Sequence, residues 1–292
     1  MILIKLDRKF YLVLFIILGM VAFAFAFAFA FARTKSNEVV CLMVTGKDPC
    51  RILFARQAVH NFREQDYGPK RLVIVNHGAE SVLPAPAHAP DSKSDVVEFR
   101  VEKKENALTL GDLRNIARAL VPPGTIWTTW DDDDYRAPGY LTTMIREMGS
   151  ADVLAWTRRT EFNANTGLVW GMELSTGFNA LIFARQDMRI LYSRQDTMED
   201  THLIEAARRL GKEIKIYKND PAIYVRTVHA NNTSLYVDKY KTGVPLGKKN
   251  TTYSEFALDA PNTRTFMSSY FKQGLECYLS ESKATDSSAP PG

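Results

Sequence analysis

Read for its apolar and polar positions, the chain opens on Phe10 to Ala32, a stretch free of charge and proline. It fits the roughly 20 residues that a membrane helix needs and exceeds the roughly 7–15 apolar residues of a signal-peptide core. Its Phe-Ala alternation has the period of a strand. An isolated segment in lipid must satisfy its own backbone hydrogen bonds, however, so helix is expected. Lys5, Arg8 and Lys9 against Asp7 put residues 1–9 on the cytoplasmic side, and the rest of the chain beyond the membrane.

After this span the period changes repeatedly. Val39 to Thr45 is an unbroken, β-branched-rich run and predicts a buried strand. Ile52, Ala55, Val59 and Phe62 fall on one face of a helix over 52–62. Strands are predicted at Arg71 to Val75 and, on the exterior, at Val96 to Val101. A Pro/Ala/Ser-rich loop at 81–94 separates them. A second amphipathic helix covers Leu110 to Leu120, and Pro122-Pro123-Gly124 turns the chain into an apolar run from Ile126. A helix follows to about Met148, then strands at 152–156 and 167–174 bounding a polar turn, and a further apolar strand at 178–184. A helix over 198–210 and strands at 213–217 and 222–228 complete the pattern. Strands alternating with helices at this spacing predict an α/β fold, a mostly parallel sheet flanked by helices on both faces. Beyond Lys239 the pattern fades, and the Ser/Pro/Ala-rich 280–292 reads as a disordered tail.

Composition changes little. With 46% hydrophobic and 24% charged residues and a formal charge of +4, the chain is an ordinary globular one with no basic block for nucleic acid. Three cysteines without CxxC spacing define neither a disulfide framework nor a zinc site. Cys41 reads as core, and a Cys50–Cys277 pair, open only in an oxidising lumen, is the less favoured arrangement.

One stretch stands apart. The apolar run from Ile126 ends in four consecutive carboxylates, Asp131 to Asp134. Like charges a few ångströms apart repel by several kcal/mol per pair at an effective dielectric of about 20. Such a block persists only if solvated or neutralised by a cation. Hard oxygen donors in a row suit Mg²⁺ or Mn²⁺ shared with substrate phosphates.

The order of these landmarks resembles the family-2 glycosyltransferases of the GT-A fold, from about Val39 to Thr233. The match runs through a strand ending in Thr45, Gln65-Asp66-Tyr67, the strand before Asn76-His77-Gly78, and Leu113-Arg114-Asn115. The Trp130 to Asp134 block, Glu199-Asp200 and a late His229 complete it. With residues 1–9 read as tail and 10–32 as signal anchor from charge and apolar length, the resemblance implies 33–245 as a GT-A domain and leaves 246–292 as a C-terminal extension. It implies a nucleotide diphosphate sugar as donor, a hydroxyl-bearing glycan or lipid as acceptor, and inversion with Mn²⁺ or Mg²⁺. Asp133, Asp131 and His229 would hold the metal. Thr45, Asn76, Arg114, Asp131 and Asp132 would bind the nucleotide, and Asp134 would brace the turn. Asp200 would be the base, with Asp196 as its rival, and Glu199 would bind the acceptor. Where the family usually has an Asp to read the nucleobase, this chain has Asn76 and His77. Trp156, Trp170 and Phe178 are candidates for stacking on sugars or for the core. A catalytic domain in the ER or Golgi lumen of a eukaryote, with glycans at the sequons of Asn231, Asn232 or Asn250, is the corresponding address. Two other readings fit parts of the pattern: a sugar-phosphate nucleotidyltransferase, and an anchored carbohydrate-binding or scaffold protein with a decayed site. The single Gly in Thr45-Gly46-Lys47-Asp48 disfavours the first, and the retained carboxylates disfavour the second.

Overall fold

In chain order the elements are β1 (Val39–Thr45), α1 (Arg51–Arg63), β2 (Lys70–Asn76), β3 (Val96–Arg100), α2 (Leu110–Ala119), β4 (Ile126–Thr129), β5 (Tyr135–Arg136), α3 (Tyr140–Met148), β6 (Val153–Trp156), β7 (Arg158–Asn163), β8 (Val169–Leu174), β9 (Ile182–Arg185), α4 (Glu199–Arg209), β10 (Ile214–Tyr217), β11 (Tyr224–Val228), β12 (Tyr253–Ser254), α5 (Ala260–Tyr270) and α6 (Lys272–Asp286). This computed structural model describes residues 38–46, 48–83, 95–101, 108–177, 182–185, 190–229, 253–254 and 260–286. The predicted span at 10–32, the loop at 84–94 and the sequons at Asn231, Asn232 and Asn250 lie outside them. Among the described residues no helix is long and apolar enough to cross a membrane.

Seven strands form one sheet in the order β10-β6-β9-β4-β1-β2-β3. All neighbours are parallel except β9, which is antiparallel to both β4 and β6. Strand β3 is an edge, as its half-exposed pattern predicts. Period-2 alternation distributes the core to two faces. Val39, Cys41 and Met43 face the layer of α1 and α3, where Ile52, Ala55, Val59 and Phe62 lie with Leu141, Met144 and Met148. Val40 and Leu42 face α2 and α4, meeting Leu113 and Ala117 on one and Leu203, Ile204 and Ala207 on the other. Helix α2 starts at a capping box in which Thr109 Oγ1 accepts from Asp112 N and Asp112 Oδ2 accepts from Thr109 N, each at 3.2 Å.

Three features depart from the sequence expectation. The stretch between 156 and 167 is not just a turn: it contains β7, whose Arg158, Arg159 and Glu161 hide its strand character. With β8, β11, β5 and β12 it builds a second, five-stranded sheet. The C-terminal extension is not a loose appendage. Helix α6 runs to Asp286, into the expected tail, and packs so closely on α1 that a Cβ on Gly274 would overlap the Phe54 ring. Phe54, Phe162, Val225, Met267 and Phe271 form a separate apolar cluster there. Finally, Cys50 and Cys277 are disulfide-bonded with Cα atoms 5.6 Å apart, the arrangement that the cysteine pattern disfavoured. Cys41 is a free, buried core thiol, and burial pushes its pKa up to about 12.

Candidate active site

The chain adds β2 and β3 on one side of β1, then crosses to place β4 on the other. Such a reversal opens a crevice at the C-terminal strand ends, where open α/β sheets receive ligands. The crevice between β1 and β4 holds the acidic block. Thr45, the last residue of β1, donates from Oγ1 to Asp132 Oδ2 at 2.7 Å. Asp132, Asp133 and Asp134 are buried, whereas the Asp131 side chain remains 31% exposed.

The counter-charge comes from the protein. Arg51, in the first turn of α1, donates from Nη1 to Asp132 Oδ1 and to Asp133 Oδ2, the latter at 2.9 Å. Arg114 on α2 reaches Asp131 Oδ1 with Nη2 at 3.3 Å and Glu199 Oε1 with Nη1 at 2.7 Å, tying the block to α4. Arg136 is fully buried, its guanidinium 4.3 Å from the Trp130 ring centroid and 5.2 Å from that of Tyr224. It donates from Nη1 to the Asp131 carbonyl at 3.3 Å.

The four aspartates are thereby made unlike one another. Burial and the neighbouring Asp133 charge raise Asp132 to about 7, against the pull of Arg51. Burial opposes the Asp133 charge too, yet Arg51 and His229 together hold it well below the usual carboxylate range. Asp134 is raised to about 8 by burial and then by the Asp133 and Asp131 charges. It receives the Tyr224 hydroxyl and, at 3.0 Å, Thr227 N–H. Its carboxyl thus joins the end of β4 to β11 and holds the turn.

The late histidine is buried rather than superficial. His229 Nε2 lies 2.9 Å from Asp133 Oδ2, and its ring stacks on Phe54 (5.5 Å) and Tyr278 (4.9 Å). The disulfide fixes this arrangement, because Cys50 precedes Arg51 and Cys277 precedes Tyr278. Among the described residues no three His, Cys, Asp or Glu side chains gather so as to hold a metal ion. Arg51 and His229 both contact the one Asp133 oxygen, Oδ2. Asp131 is turned to Arg114, so Asp131, Asp133 and His229 do not form the expected ligand set.

Asn76 is committed elsewhere. Its Nδ2 donates to Glu80 O and Glu98 Oε1, both at 2.7 Å, and its Oδ1 accepts Gly78 N–H at 2.8 Å. It therefore organises the end of β2 and has no amide hydrogen left for a nucleobase. Asp196, the alternative base, accepts Leu110 N–H at 2.9 Å at the start of α2. Trp156 is fully buried among Tyr140 and Tyr224 and is core, while Trp170 packs at the edge of the core. Phe178 lies outside the described residues.

Glu199 and Asp200 open α4, directly after Met198 in the left-handed region (φ 62°). A non-glycine residue held there is locally strained, a cost tolerated most often at functional sites. Burial raises Glu199, and the Asp200 charge adds to that against Arg114. Asp200 is partly exposed, and Oδ1 accepts Thr201 N–H at 2.7 Å. Its Oδ2 has no hydrogen-bond partner among the described residues.

Arg51, Arg136, Tyr224 and Tyr278 belong to this site but were not singled out from sequence. Arg51 carried a signal: a cation in a helix's first turn opposes the helix dipole and needs a compensating anion. Arg136 follows the block after one residue, Tyr135. Tyr278 lay in the stretch where periodicity had faded, and no local signal marks it.

No protein-family model matches the chain, and no curated protein matches it. Among solved structures it is similar to S. aureus TarS 1–349, with TM-score 0.47 and 14% identity over 65% of this chain and 60% of that one. It is also similar to TarS 1–349 in complex with UDP-GlcNAc, with TM-score 0.48 and 14% identity over 67% and 60%. For the longer S. aureus TarS structure the values are 0.43 and 15%, over 66% of this chain and 37% of that one. The chain thus spans about three-fifths of the length of TarS 1–349.

Proposed function

We propose that the chain is a nucleotide-sugar-dependent glycosyltransferase of the GT-A type that transfers a sugar to a hydroxyl acceptor with inversion. The observation that carries this is the acidic block at the C-terminal ends of parallel strands. It sits at the β1–β4 reversal, with arginines on one side and the Glu199-Asp200 pair on the other.

In this reading Thr45, Asp131 and Asp132 line the donor side, and Arg114 holds the donor and acceptor halves in register. Asp200 Oδ2 accepts the acceptor's hydroxyl proton as that oxygen attacks the anomeric carbon. The bond to the diphosphate breaks as the new glycosidic bond forms, and positive charge develops on the sugar ring. Glu199, held by Arg114, orients the acceptor. The segment at 10–32 anchors the chain as a type II membrane protein. The Cys50–Cys277 bond accords with a domain on the oxidising, luminal side.

A screen of nucleotide sugars with the full chain, reading released nucleoside diphosphate, tests the activity. With a mixture of hydroxyl-bearing glycan acceptors present to receive the sugar, one donor should support release, and Asp200→Asn should lower kcat by about 10²–10⁴-fold while leaving donor binding unchanged. No release with any donor, or full turnover by Asp200→Asn, would refute the assignment.

A further inference from the structure

Aspartates crowded in a crevice need compensating positive charge, and the fold provides it. Arg114 pairs with Asp131 at 3.3 Å, and Arg51 bridges Asp132 and Asp133, the second at 2.9 Å. Arg226 on β11 and the buried Arg136 add their fields at Asp133 and Asp134. The side chains that would otherwise ligate a metal are thus already compensated by guanidinium groups.

Among these arginines, Arg51 has donors to spare. It meets both carboxylates through Nη1 alone, so Nη2 and Nε have no hydrogen-bond partner among the described residues. Its side chain is 17% exposed. A guanidinium presents a planar fork of donors that matches two phosphate oxygens, and it keeps its charge at any working pH. Beside it stands an independent feature: the Tyr278 hydroxyl is buried yet unpartnered among the described residues. It feels the charges of Arg51, Asp48, Asp133 and Asp132. Leaving a buried hydroxyl without a partner is unfavourable, a penalty that a bound anion's oxygen would remove. The disulfide locks both groups in place from their neighbouring positions.

We propose that this site binds the diphosphate of its donor without a divalent cation, with the free edge of Arg51 and the Tyr278 hydroxyl as the receiving groups. The inference rests on the nucleotide-sugar reading above. Arg51 then stabilises the charge on the departing diphosphate, the task a metal ion would otherwise perform.

The test is calorimetric titration of the full chain with UDP, GDP, ADP and CDP, each in EDTA and in Mn²⁺. One nucleotide should bind in EDTA, and Mn²⁺ should change its affinity by less than twofold. Arg51→Gln should weaken that binding at least tenfold, and Arg51→Lys should weaken it less, because a point charge replaces the fork. Tyr278→Phe keeps the stack on His229 and the disulfide, and should weaken binding about threefold. Binding confined to Mn²⁺ would overturn the inference and leave the nucleotide-sugar reading standing. Binding in EDTA that neither Arg51→Gln nor Tyr278→Phe weakens would also overturn it. No binding of any of the four, with or without Mn²⁺, would overturn both.

Discussion

Replacing Cys277 by serine severs the covalent tie between α1 and α6, and its consequence can be worked from the fold. The bond joins residues separated by 227 positions, so it closes a loop spanning most of the described chain. For a loop that long, the chain-entropy model gives about 18 cal/mol/K, or about 5 kcal/mol at 25 °C, as the ceiling. Native disulfides return about 2–5 kcal/mol, because the unfolded chain is not a free coil. Here α6 retains non-covalent contacts with α1 through Gly274 on Phe54 and Phe54 against Tyr278. These favour the middle of that range, about 3 kcal/mol. At about 2–4 °C per kcal/mol for a domain of this size, Tm should fall by roughly 6–12 °C. The assay is thermal unfolding of wild type and Cys277→Ser in non-reducing buffer, repeated with dithiothreitol. Reductant should bring wild type down to the variant and leave the variant unmoved. Thiol titration of denatured, unreduced wild type should count one thiol, that of Cys41. Three titratable thiols, or a variant melting within 1 °C of wild type, would refute the reasoning.

Three further outcomes are expected. Asp132 and Asp134 keep protons in the folded state, at pKa values raised to about 7 and about 8, that the unfolded chain releases near pH 4. Stability should therefore fall as pH rises through that window, and urea denaturation at pH 6, 7.5 and 9 should show a shallower fall for Asp134→Asn; an unchanged slope counts against this. Gly46 has φ +106°, and a Cβ there would overlap Asn76 Oδ1 and Gly78 N. Gly46→Ala should accordingly lose more than about 1 kcal/mol, read as a lower urea midpoint at constant m-value. Arg136→Met removes a buried guanidinium that donates to the Asp131 carbonyl and covers the Trp130 and Tyr224 rings, leaving that carbonyl without its donor, and should cost about 1–3 kcal/mol. A loss under about 1 kcal/mol in the same assay would show that the guanidinium contributes packing alone.

Much of the main sheet was legible in the chain itself. Val39 to Thr45 could be read as a strand because a strand buried on both faces needs an unbroken apolar run. Ile52, Ala55, Val59 and Phe62 could be read as one helix face because a helix with one buried side repeats every 3.6 residues. The carboxylate block announced itself because four adjacent like charges demand compensation.

What supplied that compensation only the tertiary structure decided. Arg51 lies 81 positions from Asp132 and His229 lies 96 positions from Asp133, distances over which no local period carries information. Strand β7 was obscured because Arg159 and Glu161 pair with each other in the interior, so its charges do not mark a loop. Helix α6 joins the site through a disulfide and a ring stacked on His229, neither of which leaves a periodic trace. The local pattern thus fixed where the acidic run stands, at a strand end. The packing of distant elements determined that its neutralising charges are guanidinium groups of the chain's own.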